Sequence, residues 1–265
     1  MKIIIDVDKL NDADSIDELI KKSENEIICG IDACERADFL ITDNRRAADV
    51  AISRGIGISV YINGVNNASD FPEALYCIDS LYDMSDETLL RMYQRANDIP
   101  WTILETKRCV VREITLADID RLYEVYSDPL VKKYIEDLYE DKEEEIRFTK
   151  DYIENQYKFY EYGLWVVILK DTNELIGRAG IFGREDQDEL EIGFVFKRAY
   201  WGVGISDEVL TAIMDYAKEE LSANVLVAHA EKGNEHSRRF LTRLGFKYIG
   251  DCEGEKTFET FEKTL

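Results

Sequence analysis

Residues 189–210 read ELEIGFVFKRAYWGVGISDEVL, the pattern of a strand, a glycine-bearing turn and the start of a helix. Along the strand Leu190, Ile192, Phe194 and Phe196 alternate with Glu189, Glu191, Gly193 and Val195. At a period of two, one face is fully apolar and packs, while the other carries two carboxylates and is free for chemistry. Beyond Trp201-Gly202-Val203-Gly204, the apolar residues Ile205, Val209, Leu210, Ile213, Met214 and Ala217 recur at helical spacing. The turn therefore delivers a helix N-terminus. Its backbone N–H groups lack intrahelical partners and carry partial positive charge, which suits a phosphate oxygen. Gly202 and Gly204 remove the side chains that would keep an anion from those groups.

Downstream, residues 224–230 read as a second strand, and Asn234-Glu-His-Ser237 opens a helix that Gly245 closes before Phe246. The motif E-I-G-F with W-G-x-G, followed by N-x-x-S and L-G-F, resembles the GNAT superfamily of N-acetyltransferases. Within it, the branch like the ribosomal-protein N-terminal acetyltransferases is the most similar, over residues 107–265. The resemblance implies an α+β domain with a mixed, mostly antiparallel sheet flanked by helices. It also implies transfer of an acetyl group from acetyl-CoA to a primary amine, a protein N-terminus or a small amine, by direct attack.

Residue by residue, the resemblance implies four tasks. The pyrophosphate would rest on the backbone N–H groups of Gly202, Val203, Gly204, Ile205 and Ser206, with a charge from Lys197 or Arg198. Ala199 stands where the family carries Gln or Arg, which removes one polar side chain and leaves the backbone contacts. The acetyl carbonyl and pantetheine arm would meet unpaired N–H groups at Phe194, Val195 and Phe196, where the family's strand splays from the next. An alkylammonium of pKa ~10 cannot attack, so a base must take its proton. Glu191 either takes it or holds the amine by charge alone; Glu189 on the same face and His229 on the following strand are further candidates. Ser237 would hydrogen-bond the leaving thiolate, since Leu241 stands where many relatives have Tyr. Asn234 matches the family's coenzyme-contacting Asn and is also a good N-cap. A non-catalytic acetyl-CoA-binding sensor is the alternative that Ala199 and Leu241 keep open.

The chain has 265 residues, 55 acidic and 33 basic, for a formal charge of -22. That charge argues against a nucleic-acid or anionic-membrane partner and is compatible with a cationic acceptor. The acidic run over residues 137–145 reads as a solvated loop or helix start, or as an attraction for such an acceptor. No apolar run approaches ~18 residues and no signal-peptide pattern is present, so a cytoplasmic protein is expected. Cys29, Cys34, Cys77, Cys109 and Cys252 are scattered without C-x-x-C, and only His229 and His236 supply imidazole. Neither a disulfide framework nor a metal site is expected. Oligomeric state has no signal in the sequence.

Residues 1–100 read as a Rossmann-like α/β domain of unknown role. Short apolar runs at 2–7, 26–31, 39–42, 58–62 and 75–78 predict strands of a sheet covered on both faces, with helices at 15–23 and 44–54. Two fragments, Asp6-Val-Asp8 after a strand and Leu40-Ile-Thr-Asp43 before an alanine-rich helix, resemble haloacid-dehalogenase-type motifs. A phosphatase or ligand-binding protein built on this half is a further alternative. Residues 85–97 predict a linking helix, with the domain boundary near 100–107. Thereafter a helix over 115–126 ended by Pro129, a helix over 147–162, a hairpin at 164–182 and a partly exposed last strand at 256–263 are expected.

Overall fold

The computed structural model describes residues 2–11, 15–30, 38–82, 84–135, 138–183, 189–252 and 257–265. Two compact units divide the chain, Met1–Trp101 and Thr102–Leu265. Among the described residues no helix is long and apolar enough to cross a membrane. Ile31, Cys34, Asp137, the expected turn at 186–188 and Lys256 lie outside the described residues.

In the first unit, β1 (Lys2–Asp6), β2 (Glu26–Cys29), β3 (Phe39–Thr42), β4 (Gly57–Tyr61) and β5 (Tyr76–Ile78) form a sheet of order β2-β1-β3-β4-β5. Every pairing in it is parallel. A parallel sheet needs cover on both faces, which explains why Ile3, Ile4 and Ile5 are all buried. The alternation sorts them. Ile3 and Ile5 join one cluster with Leu19 of α1 (Ile16–Lys22) and with Leu89 and Met92 of α3 (Asp86–Ala96). Ile4 joins another with Ala47, Ala48 and Ala51 of α2 (Arg45–Ser53). Asn44 alone caps α2, its Oδ1 accepting from the N–H groups of Arg46 and Ala47. The helix expected to link the domains is part of this first core. Beside it Trp101 donates its indole N–H to the Arg91 carbonyl at 3.1 Å.

The second unit carries an eight-stranded sheet. Its strands are β6 (Thr102–Glu105), β7 (Cys109–Arg112), β8 (Leu164–Leu169), β9 (Leu175–Gly183), β10 (Leu190–Phe196), β11 (Val225–Glu231), β12 (Lys247–Asp251) and β13 (Phe258–Thr264). Their order is β12-β13-β11-β10-β9-β8-β7-β6, antiparallel throughout except between β10 and β11. The sheet thus starts before residue 107, because β6 pairs with β7. The last strand is an interior one, between β12 and β11, with Phe261 buried. Its sparse apolar content is compensated by hydrogen bonding to a strand on each side.

Helices cover both faces. Trp165 of β8 packs edge-on against Tyr216 of α8 (Ile205–Glu219), and Phe194 of β10 against Phe240 of α9 (Glu235–Arg243). Trp165, Ala179 and Phe194 share a register row, so α8 and α9 lie on one face. On the other lie α4 (Ile119–Val125) and the helical stretch of α6 (Lys142–Tyr152), a π-helical turn (Ile153–Tyr157) and α7 (Lys158–Tyr160). Between them Pro129 starts rather than stops a helix: it is the first residue of α5 (Pro129–Lys132), capped by Asp128, where its missing N–H costs nothing. The acidic run likewise opens a helix, with Asp141 capping α6 and Glu143, Glu144 and Glu145 in its favourable first turn.

The entry to α4 is fixed by Asp118, which is 2% exposed. Its oxygens accept from Arg112 at 2.7 and 2.8 Å and from the N–H and hydroxyl of Thr115 at 2.9 and 2.8 Å. Burial alone would raise its pKa, but the guanidinium and the Thr115 donors outweigh burial and hold it below the usual range. A depressed carboxylate stabilises the fold above its unfolded pKa of about 3.9, and the gain fades as pH falls through the folded value. Asp118→Asn should therefore cost about 3 kcal/mol at neutral pH, the low end for breaking a buried pair because Arg112 keeps some water. The gap between denaturant titrations of wild type and variant should start to close below about pH 4 and vanish only once pH has fallen through the folded value; a gap that persists in strong acid would contradict this account.

Candidate active site

The parallel pair β10/β11 holds register only at Leu190↔Leu226 and Glu191↔Val227. Beyond Glu191 the two strands part, while β10 stays paired to β9 through Phe196 and β11 to β13 through Glu231. Strand alternation then decides which amides face the gap. The Lys197 N–H donates to Ile176 of the β9 side at 2.7 Å, and the Phe196 carbonyl turns away to accept from the Trp201 indole at 2.9 Å. By parity the N–H groups of Phe194 and Phe196 point into the gap, that of Ile192 is still bonded to the Val227 carbonyl in the last registered pair, and that of Val195 points to β9. Of the three expected amide positions, Phe194 and Phe196 aim into the gap by this parity. Val195 presents its side chain alone to the cleft.

The gap continues as a cleft of about 840 Å³, within the size of small-ligand sites. Gly202, Gly204 and Ser206 line it, as do Asn234 and Ser237 across from them. Gly202 and Gly204 have φ of +74° and +76°, a backbone that other residues adopt only with strain, and a Cβ on Gly202 would meet nothing within 4 Å. Among the described residues no side chain caps α8. The acids of its first turn are drawn off elsewhere: Asp207 pairs with Arg243 at 2.8 and 2.9 Å, and Glu208 with Arg108.

Arg108 has no counterpart in the sequence reading. Its guanidinium donates to the carbonyls of Val203 and Gly204 at 3.0 and 2.8 Å and to Glu208 at 2.7 Å, and its own N–H donates to Glu208 at 2.8 Å. Carbonyls held from behind leave the amides of the turn facing the cleft, and the charge behind them adds to the field on an anion. Lys197 and Arg198, expected to supply that charge, do not line the cleft. Lys197 bridges Glu124 and Glu174 at 2.9 Å each, and Arg198 lies 3.6 Å from Asp128. Arg239 lines the cleft instead, and no ion pair is formed by it among the described residues. Val203 is exposed, and Ile205 buries its side chain, so each offers backbone only.

Toward the other end, Glu191 is 9% exposed and its Oε2 lies 3.0 Å from His229 Nδ1. Both line the cleft, whereas Glu189 is exposed and does not. Asn234 accepts from the Ser237 N–H at 3.1 Å, so it caps α9 while facing the cleft. Leu241 is buried in the core. Tyr134, unflagged by any motif, lines the cleft and donates its hydroxyl to the Gly233 carbonyl at 3.0 Å. Arg178 also lines it; a lone arginine among the apolar residues of 175–183 was the available signal. An acyl carrier with an anionic end fits these donors: an uncapped glycine-fronted helix start, aimed amides along β10, and a carboxylate beyond them.

Arg108→Met should lower the melting temperature by about a few degrees and speed amide hydrogen exchange over residues 202–208, with Arg108→Lys intermediate. Unchanged exchange would show that the turn holds without the guanidinium.

Comparisons with known proteins agree with this geometry. A family model described as an acetyltransferase (GNAT) domain matches residues 108–247. The uncharacterized N-acetyltransferase YnaD of Bacillus subtilis strain 168 is 30% identical over 148 residues, 56% of this chain and 84% of that protein. The uncharacterized N-acetyltransferase p20 of Bacillus licheniformis is 31% identical over 149 residues, 56% of this chain and 83% of that one. Among solved structures, the ribosomal-protein-S5-alanine acetyltransferase from Vibrio fischeri superposes with a TM-score of 0.52 at 18% identity, covering 61% of this chain and 95% of that one. At that identity the likeness speaks for the fold. Since the family match spans more than half of the chain and takes in the glycine turn, the gap and the carboxylate, the chain belongs to the GNAT family of acetyltransferases, acyltransferases whose cosubstrate is acetyl-CoA.

Proposed function

We propose that residues 107–265 form an acetyltransferase domain that moves the acetyl group of acetyl-CoA to a primary amine, a protein N-terminus or a small amine, by direct attack. The observation that carries this reading is the convergence in one cleft of an uncapped helix start, unpaired strand amides and the Glu191–His229 pair. Residues 1–100 are proposed as a Rossmann-like domain without chemistry of its own. Asp43, from the second of the two haloacid-dehalogenase-like fragments, already accepts from the N–H groups of Asp8 and Lys9 and from the Asn63 amide.

When bound, acetyl-CoA supplies an activated acyl group on a thiol of modest basicity. The amides of Gly202, Val203, Gly204, Ile205 and Ser206, with Arg239, would hold its phosphates. Phe194 and Phe196 would direct N–H groups at its arm and acyl oxygen, worth on the order of 3 kcal/mol for one well-placed donor. Glu191 would receive the ammonium proton, directly or through a water, with His229 fixing the carboxylate's position. Ser237 would hydrogen-bond the departing sulfur, and Asn234 would orient the same end of α9.

Calorimetric titration with acetyl-CoA should give saturable binding that Gly202→Glu abolishes. In thiol-release assays over an amine panel, Glu191→Gln should reduce kcat by about 10²–10⁴-fold and leave coenzyme affinity within about twofold. Binding without turnover of any amine would favour a coenzyme sensor, and no binding by the wild type would remove the proposal.

A further inference from the structure

Arg178 sits at the middle of β9 opposite Val195, on the face that carries Glu191. It is 8% exposed and it lines the cleft, yet its Nε has no hydrogen-bond partner and no carboxylate pairs with it among the described residues. The groups that interact with its charge are Tyr126, whose hydroxyl oxygen accepts a hydrogen bond from the guanidinium, Tyr157 and Tyr152. None of these is a carboxylate, and burial pushes the Tyr152 hydroxyl up and the Tyr157 hydroxyl well above the usual range, so those two stay neutral. A guanidinium does not shed its proton in a protein, and a buried charge without an opposite one is costly. Such a cation at the wall of a substrate cleft is a receptor waiting for an anion.

Two features locate that anion on the acceptor. First, Arg178 lies on the α4 side of the sheet, whereas the glycine turn opens onto α8, whose face is opposite. Second, Val195 and Glu191 are four positions apart on β10, about 13 Å at strand rise. Both residues line the one cleft, so an acceptor whose ammonium meets Glu191 has the wall carrying Arg178 within the span of a short chain. We propose that Arg178 is a specificity-determining residue that binds an anionic group of the acceptor, and that the acceptor is an amine carrying a carboxylate several bonds away, such as an ω-amino acid or a short peptide. This rests on the acetyltransferase reading above. It also divides the two charges of such an acceptor, ammonium toward Glu191 and carboxylate toward Arg178, and it disfavours polyamines, which would bring a second cation to a buried one.

The test compares glycine, β-alanine, 4-aminobutyrate and 5-aminopentanoate with alkylamines of equal length in thiol-release assays on the full chain. At least one amino acid should exceed its alkylamine by about tenfold or more in kcat/KM, chiefly through KM. Propionate should inhibit competitively against the amine. Arg178→Gln should bring the ratio near one, and Arg178→Lys should keep part of it. No preference in the wild type, or a preference that survives Arg178→Gln, overturns the proposal. So does loss of coenzyme affinity matching the loss of acceptor preference, which would give the arginine to the coenzyme phosphates. If no amine is acetylated, the acetyltransferase reading falls, while calorimetry with 4-aminobutyrate on the coenzyme-free protein still decides: binding lost in Arg178→Gln supports the anion receptor, and no binding by the wild type refutes it. Circular dichroism of both variants separates misfolding from loss of the contact.

Discussion

A parallel strand pair that stops after two registered residues is the constraint on which the second unit depends. Each of β10 and β11 has a full partner on its outer side, so the parting does not unravel the sheet. What it leaves, among the described residues, is the N–H groups of Phe194 and Phe196 without strand partners, which an interior cannot tolerate and a binding cleft can use. The same parting sets Glu191 and His229 at the apex, where the strands are still adjacent and their side chains share a face.

A chain with a formal charge of -22 builds a positive site locally. Net charge governs long-range steering, but at the glycine turn the field comes from nearby peptide dipoles and from Arg108 behind them. Asp207 and Glu208, in the first turn of α8, would oppose an anion if they faced the cleft unpaired. Each is instead held by an arginine from another element. The electropositive start of α8 is therefore a tertiary product.

This explains what the sequence could and could not disclose. The strand-turn-helix at 189–210 was legible because its information is local: period-two alternation, glycines at positive φ and helical spacing after them. The same holds for β3, found at Phe39–Thr42 as expected. Arg108 was not legible, because its partner Glu208 is 100 residues away. Lys197 misled for the matching reason: its charge beside the motif is neutralised by Glu124 and Glu174, which nothing local brings near. Tyr200 and Lys197 in turn hold the Glu174 carboxyl below its usual range, the mark of a settled structural cluster. The last strand looked peripheral because sequence pattern reports a strand's own side chains, while its burial comes from the neighbours it is inserted between.

The central claim is that the coenzyme lies on the unpaired amides of the gap and on the glycine turn. Backbone amide ¹⁵N–¹H shifts followed during titration with coenzyme A test it most directly. The account predicts the largest changes at Phe194 and Phe196, from Gly202 to Ser206 and at Asn234, with the Val195 amide, bonded to β9, and the Ile192 amide, bonded to β11, moving less. Shifts confined to residues of the first unit, or a titration that leaves Phe194 and Gly204 unmoved, would contradict it.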